Sequence, residues 1–364
     1  MVTGIVSADW HLSHSADFEK NSAWLNACFF LFLHTLKPLM VFVTGGTGFI
    51  GTHLLRELIQ RGEKVRALKR STGKILLEEE LANRVEWVEG DILDVPSLEE
   101  AMHGCNDVYH CAAVVSFNPG DRDYLTKVNV EGTANVVNAS LANGIRKLVH
   151  LSSVSAIGRS KDATIVNEST EWEQNKLTTN YALSKFLAER EVWRGMAEGL
   201  NAVIVNPSFV LGSGNWDAGP PQVFKKVFEG LRAYTTGGTG LVDVEDVVKL
   251  MMLLMKSDIS GERFILNAEN WSFRDLFNYV AGQLGVKPPR FHANAFMNEL
   301  GWRLGWLKHK LTGTPPTITR ETGRISLHWS RYDNSKIVAA TGYRFKPVKR
   351  TIEETAKKFL EERE

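Results

Sequence analysis

The chain has 364 residues, enough for one large α/β domain or two moderate ones, and 43% hydrophobic with 23% charged residues excludes a disordered or low-complexity protein. A formal net charge of +1 gives no basic surface for nucleic acid and no polyacidic character. Three cysteines, Cys28, Cys105 and Cys111, are too few and too scattered for a disulfide framework or a zinc site, and they fit a reducing cytoplasm.

Residues 1–39 are polar at first and then carry an apolar run from Trp24 to Leu33 that is too short to span a membrane. Asp17 and Glu19 before it, and no A-x-A-like site after it, argue against a signal peptide. Met40 stands directly before the first strand, so residues 1–39 are expected to be an extension outside the fold. A weak interfacial anchor through Phe29, Phe30 and Phe32 is the alternative, but membrane contact is not the expected mode.

The first strand, from Val41, runs into Thr44-Gly-Gly-Thr-Gly-Phe-Ile-Gly51 and then into a helical segment from Thr52 to Arg61, with Leu54, Leu55, Leu58 and Ile59 on one face and Gly62 as its stop. Gly46, Gly48 and Gly51 spell G-x-G-x-x-G in the strand–turn–helix setting that a dinucleotide pyrophosphate requires. Lys64–Leu68 reads as strand two. Where an NAD-selective site would carry an acid at its end, the chain reads Leu68-Lys69-Arg70-Ser71, with no acid before Glu78. A guanidinium grips a 2′-phosphate that a carboxylate would repel, so NADP(H) is expected in preference to NAD(H), with Arg70 the clamp and Lys69 or Arg66 secondary.

Strand three is expected over Val85–Val88, followed by Gly90-Asp91-Ile92, where Asp91 and Ile92 are placed to meet an adenine. Strand four is expected over Asp107–Ala113, a helix over Val128–Asn143, strand five over Lys147–Ser152 and strand six over Ala202–Asn206. This alternation predicts an α/β fold with a doubly wound parallel sheet of the Rossmann type, its site at the carboxyl ends of the strands. The dinucleotide-binding core is expected over residues 40–210, with later segments adding to the sheet. Residues 211–364 are expected to form mainly a smaller, mixed substrate-binding lobe and a C-terminal helix, Thr351 to Glu362, acting as a solvated cap. Leu300, Trp302, Leu304, Trp306 and Leu307 suggest an amphipathic helix packed on the core, with a pocket wall or membrane-facing patch as the alternative. Asp243, Glu245 and Asp246 read as a helix cap, and His110 as a satisfied core histidine. No cluster has metal-ligand spacing, so no metal is expected.

Tyr181-Ala-Leu-Ser-Lys185 puts a phenol and an ammonium on one helix face. A lysine charge nearby lowers a tyrosine pKa and makes the phenol a usable acid and base.

Together these pieces resemble an extended short-chain dehydrogenase/reductase of the NAD-dependent epimerase/dehydratase superfamily. The matching segments are the glycine turn, Gly90-Asp91-Ile92, His110–Ala113, Asn129–Thr133, Leu151–Gly158, Tyr181–Lys185 and Asn206–Gly212. The basic end of strand two and Tyr332–Lys336 before Thr341-Gly-Tyr343 are most like the dihydroflavonol-reductase-like branch. The resemblance implies Tyr181 as general acid or base, Lys185 on the nicotinamide ribose, and Ser153, in preference to Ser152 or Ser155, orienting the substrate oxygen. It implies cofactor contacts from Gly45, Thr47, Gly48, Phe49, Ile50, Ala112 and Ala113, with Pro207 and Ser208 over the nicotinamide amide. Asn129 either relays protons or holds the turn after strand four. The expected function is an NADPH-dependent carbonyl reductase or alcohol dehydrogenase acting on a small-to-medium, partly apolar molecule. The alternatives are a nucleotide-sugar epimerase or dehydratase with bound NAD, and a non-catalytic cofactor-sensing protein. The small-molecule substrate is the expected partner, and the resemblance is compatible with a homodimer.

Overall fold

A computed structural model describes residues 39–158, 165–312 and 319–363, without the side chains of residues 304 and 306–312. The expected N-terminal extension therefore lies outside the described residues, Leu39 excepted, as does part of the loop before Tyr181.

Seven strands form the main sheet: β1 (Met40–Thr44), β2 (Lys64–Lys69), β3 (Val85–Glu89), β4 (Asp107–His110), β5 (Lys147–Leu151), β6 (Ala202–Pro207) and, late in the chain, β10 (Glu262–Leu266). Their spatial order is β10-β6-β5-β4-β1-β2-β3, and all neighbours pair in parallel. The chain winds outward in one direction from β1 and in the other from β4, so the crevice between these two strands is the topological switch point where such sheets bind ligands. β4, β5 and β6 are buried at every position, which is why they read as continuous apolar runs.

Alternate residues serve the two faces. Val41, Val43, Val65, Ala67, Val149 and Val203 pack under α1 (Phe49–Gln60) and a later helix, Val244–Lys256. Phe42, Leu68, Val108, Leu148, Ala202 and Ile204 pack under α2 (Val95–Met102), α3 (Gly132–Ala142) and α4 (Asn180–Ala197). Strand four ends at His110, three residues before its expected end. The stretch expected as one helix from Val128 begins instead as a π-helical turn, Thr126–Glu131, before α3.

Three further strands, β7 (Phe209–Leu211), β9 (Gly238–Asp243) and β11 (Glu269–Ser272), form a small sheet in the order β11-β9-β7, and β8 (Ala233–Tyr234) pairs with β12 (Phe291–His292). A separate apolar cluster of Leu211, Phe224, Leu241, Leu276, Val280, Ile352 and Phe359 joins this sheet to the helices Phe273–Gln283 and Val348–Glu361. The last helix is thus not a solvated cap: it buries Val348, Thr351, Ile352, Thr355, Ala356 and Phe359 along one face. The amphipathic segment forms the helix Ala295–Thr312, but its first turns do not pack on the core. Phe296 is 75% exposed and Leu300 50%, while Trp302 stacks with Arg303 and Arg320. Asp243 caps the helix Val244–Lys256 as expected, accepting from the Glu245 N–H. Among the described residues no helix is long and apolar enough to cross a membrane, and no group of three or more His, Cys, Asp or Glu could hold a metal ion.

Candidate active site

The site begins at the turn after β1. Gly45 has φ +73°, and a Cβ there would lie 2.5 Å from the Ala112 backbone nitrogen. A Cβ on Gly51 would lie 2.1 Å from the Gly45 carbonyl oxygen. Both positions need glycine, one for its left-handed backbone and one for the closeness of helix to turn. Gly48 caps α1 with no side-chain hydrogen bond, so the helix presents first-turn N–H groups from Phe49 and Ile50 toward an anion. Phe49 is held in place from behind: its ring lies against the backbones of Gly212 and Gly214, and His53 meets the Ser213 carbonyl at 2.8 Å. Substituting Gly51 by alanine is expected to cost about 1–3 kcal/mol or more in stability and to abolish dinucleotide binding. Thermal denaturation and fluorescence titration with NADPH would measure both effects, and wild-type binding would contradict this account of the turn.

Behind the turn a hydrogen-bonded chain fixes the switch point. The Thr133 hydroxyl donates to the Asn129 carbonyl at 2.6 Å, so its oxygen accepts from His110 Nε2 at 2.9 Å. His110 Nδ1 then accepts from the Thr44 hydroxyl at 2.7 Å, and the Thr44 oxygen accepts the Ala112 N–H at 3.3 Å. These bonds assign the Nε2–H tautomer, and burial pushes the imidazole down to about 3, so His110 is a neutral pin and not a proton shuttle. Asn129 holds the turn after β4. Its amide oxygen accepts the Val114 N–H at 2.7 Å, while its amino group donates to the Val114 carbonyl and to Ser184 on α4. The π-helical turn points Asn129 inward for this purpose.

At the end of β2 Arg70 is exposed and makes no ion pair among the described residues, and its carbonyl closes a turn with the Gly73 N–H at 2.8 Å. Lys69 beside it is half-buried. Glu78, the next acid in sequence, is held by Arg56 at 2.9 Å. Arg66 does not reach this end. Its guanidinium donates to Glu86 at 2.8 Å and to the carbonyls of Ala101 and His103, in a cleft of about 730 Å³ that contains no catalytic group. Asp91 accepts the Leu93 N–H at 3.0 Å, and Ile92 is buried against Gly132, where a Cβ would meet its Cδ1 at 2.5 Å.

The buried Tyr181 side chain lies beside Ser153, whose hydroxyl opposes the upward push of burial on the phenol. Ser153 is extended, with φ −161°, and opens a 3₁₀ turn by accepting the Ser155 N–H at 3.2 Å. Ser152 instead faces inward, where Glu189 lies. The Phe117 ring stands edge-on to Tyr181 at 5.7 Å. Lys185, 2% exposed, donates to the Leu151 carbonyl at 2.9 Å. Burial brings its ammonium down to about 8 against the opposing charge of Glu189. The expected lowering of the phenol is not what this arrangement produces. Burial pushes Tyr181 up and Ser153 opposes it, while the Lys185 ammonium donates to the Leu151 carbonyl. Cys111 and Ala112 are half-buried at the end of β4, Ala113 is exposed, and burial raises the Cys111 thiol to about 12, which keeps it unreactive. Pro207 and Ser208 are buried at the end of β6, and the Ser208 hydroxyl has no partner among the described residues.

Sequence reasoning missed Thr44, Phe117, Thr133, Ser184, Asn206 and Glu189. One signal was available for Glu189: it stands one turn after Lys185 on the same helix face, among the buried Ala182, Ser184, Ala188 and Val192.

The residues present fit a dinucleotide. The glycine turn tolerates no Cβ, the first-turn N–H groups of α1 are free of a side-chain cap, and a buried hydroxyl awaits an amide partner at the end of β6. Such a sheet with a Ser–Tyr–Lys set at its carboxyl edge defines an NAD(P)-dependent oxidoreductase of the extended short-chain dehydrogenase/reductase type. The chain belongs to the NAD dependent epimerase/dehydratase family, whose profile matches residues 41–267. It is 33% identical to a putative dihydroflavonol 4-reductase of Synechocystis sp. (strain ATCC 27184 / PCC 6803 / Kazusa), over 85% of this chain and 92% of that one. It is 34% identical to cinnamoyl-CoA reductase 1 of Oryza sativa subsp. japonica, over 62% of this chain and 70% of that one. Among solved structures, gox2253 matches with a TM-score of 0.75 and 30% identity, over 90% of this chain and 99% of that one. A UDP-glucose 4-epimerase of Thermotoga maritima with UDP-glucose matches with a TM-score of 0.73 over 90% of this chain and 100% of that one; at 21% identity it shares the fold alone. The chain is thus an epimerase/dehydratase-family reductase, and the non-catalytic reading falls away.

Proposed function

We propose that the protein is an NADPH-dependent carbonyl reductase, or the corresponding alcohol dehydrogenase, for a small-to-medium, partly apolar substrate. The observation that carries the reading is the buried Tyr181 beside Ser153 at the carboxyl edge of β5, with Lys185 one helical turn further on and bonded to the Leu151 carbonyl. The preference for NADPH rests on Arg70, exposed and without an ion pair among the described residues at the end of β2, with the nearest downstream acid already engaged. The apolar bias rests on Phe117 against Tyr181 and on Val115, 64% exposed in the same loop. The names of the two relatives, both reductases, point the same way.

In this reading the N–H groups of α1, with Gly45, Thr47 and Gly48, take the pyrophosphate, Arg70 the 2′-phosphate, and Asp91 and Ile92 the adenine side. Ala112 and Ala113 line the dinucleotide, Lys185 holds the nicotinamide ribose, and Pro207 and Ser208 receive the carboxamide. The nicotinamide, when bound, supplies or accepts the hydride. Tyr181 donates its phenolic proton to the carbonyl oxygen in reduction and removes it in oxidation. Ser153 orients that oxygen, and residues 211–364 shape the substrate side.

A raised phenol stays protonated at neutral pH, so it is poised as the acid for reduction, whereas oxidation needs the phenolate and gains as pH rises. The Lys185 ammonium is present below about 8 and lost above it. The reductive kcat/KM is therefore expected to be level from pH 6 to about 7.5 and to fall through about 8. A pH–rate profile still rising beyond pH 9 in the reductive direction would contradict this assignment.

The test of the function is NADPH oxidation with a panel of aldehydes and ketones, with NADH in parallel. Turnover of an apolar carbonyl with NADPH supports the reading. Tightly bound NAD released on denaturation, with no turnover of free carbonyls, would favour a nucleotide-sugar epimerase or dehydratase.

A further inference from the structure

The catalytic helix carries a buried carboxyl that the mechanism so far leaves unused. Glu189 is 1% exposed, in the core behind the Ser–Tyr–Lys set. One carboxylate oxygen accepts from Asn206 Nδ2 at 2.5 Å, and the other meets Arg263 of β10 at 3.4 Å. Arg263 is itself anchored by donating from Nε and Nη2 to the Glu168 carbonyl, at 3.1 and 2.5 Å. A buried carboxylate is costly unless paired, and a buried ion pair by itself adds little stability over an apolar core. What this one does add is position.

Two links run from Glu189 to the reacting groups. Asn206 Nδ2 donates not only to Glu189 but also to the Ser153 carbonyl, at 3.0 Å, so the carboxylate fixes the amide that fixes Ser153. Lys185 is one turn away on the same helix face; burial pushes the Glu189 carboxyl up while Asn206, Arg263 and Lys185 oppose it, and in its ionised form Glu189 is the opposite charge that sustains the ammonium against burial. Among the described residues the other groups facing Lys185 supply no comparable charge. Cys111 at the end of β4 is held as a thiol, and the imidazoles of His110 on β4 and His150 on β5 are held neutral by burial.

We infer that Glu189 is a positioning residue: through Asn206 it sets Ser153 against Tyr181, and through its charge it keeps Lys185 in the ammonium form. The inference rests on the catalytic reading of Ser153, Tyr181 and Lys185 and extends it to β6 and β10.

The two links separate in two substitutions. Glu189→Gln keeps an acceptor for Asn206 and removes the charge. Its kcat at pH 6.5 should stay within about threefold of wild type, while the alkaline limb of kcat/KM moves down by about one pH unit, a tenfold loss near pH 8.5. NADPH affinity by fluorescence titration should weaken over the same interval. Glu189→Asp keeps the charge and withdraws it from Asn206. It should lower kcat by about tenfold at every pH with the alkaline limb unmoved. A Glu189→Gln profile that superimposes on wild type, or one lowered equally at all pH, would overturn the charge link. Wild-type kcat in Glu189→Asp would overturn the Asn206 link. Should Glu189→Gln fail to fold by circular dichroism, Arg263→Lys replaces it. That variant retains the positive partner and is expected to keep the wild-type alkaline limb while Glu189→Asp loses kcat; a moved limb with intact Glu189→Asp kcat overturns the inference. Tyr181→Phe, measured alongside, keeps the two readings apart: full turnover there sinks the catalytic assignment itself, whereas a dead Tyr181→Phe beside unaffected Glu189 variants sinks this inference alone.

Discussion

Tyr181→Phe is expected to lower kcat for carbonyl reduction by about 10²–10⁴-fold, the range a general acid contributes, with little change in the dissociation constant for NADPH. The fold brings the phenol beside Ser153, and phenylalanine keeps the ring, its edge contact with Phe117 and the helix around it. The alternatives in the neighbourhood are poor acids: His110 is locked neutral between Thr44 and Thr133, and Cys111 is a thiol raised to about 12. Loss of kcat with an unchanged fluorescence titration would mark an interaction made in the transition state. A variant within threefold of wild type would remove Tyr181 from the mechanism.

Arg70→Ala is expected to raise KM for NADPH by about 10–100-fold and to leave KM for NADH within about threefold. One charge-assisted hydrogen bond to a phosphate is worth about 1.5–3 kcal/mol, and each 1.4 kcal/mol is a factor of ten. NADH has no 2′-phosphate for the guanidinium to hold, so the substitution has nothing to remove there. The argument depends on the strand end. Arg70 is exposed and has no ion pair among the described residues, Arg66 is committed to Glu86 and two carbonyls, and Glu78 to Arg56. Equal losses with both cofactors would mean that Arg70 supports the turn with Gly73 and does not read the phosphate.

Much of this architecture was legible before any coordinates. Strands buried on both faces leave continuous apolar runs such as Lys147–Leu151 and Ala202–Pro207, and glycine at 45 and 51 announces contacts too close for a Cβ. The elements misjudged share a physical reason: their fate is decided by partners distant in sequence. Cys111–Ala113 continues the apolar character of β4, yet leaves the sheet where the Gly45 backbone approaches Ala112. Val128 onward has helical periodicity, and the extra residue of the π turn, which aims Asn129 at Val114, leaves no periodic trace. Phe296 and Leu300 are spaced for a buried face that the fold leaves largely in solvent, while Ile352 and Phe359 on the charged last helix are buried.

At the site the local pairs were readable and the long-range ones were not. Tyr181 and Lys185 stand four residues apart on a helix, so their shared face follows from the helical repeat. Ser153 was implied by the family resemblance, and Tyr181 comes to lie beside it across the fold. Asn206 and Glu189 meet only because β6 lies beside β5 in the sheet order and α4 packs over both. The effect of Lys185 on the phenol was argued from spacing alone. Its ammonium bonds the Leu151 carbonyl, and burial governs Tyr181.

The central claim, carbonyl reduction by NADPH at Ser153, Tyr181 and Lys185, is tested most directly by following the hydride. The purified protein is supplied with NADPH deuterated at C4 and an apolar ketone that it turns over, and the product is examined by mass spectrometry. The account predicts one deuterium on the carbinol carbon for each NADPH oxidised, and a rate of deuterated product formation lowered by about 10²–10⁴-fold when Tyr181 is replaced by phenylalanine. No NADPH oxidation with any carbonyl, or transfer undiminished in Tyr181→Phe, would contradict it.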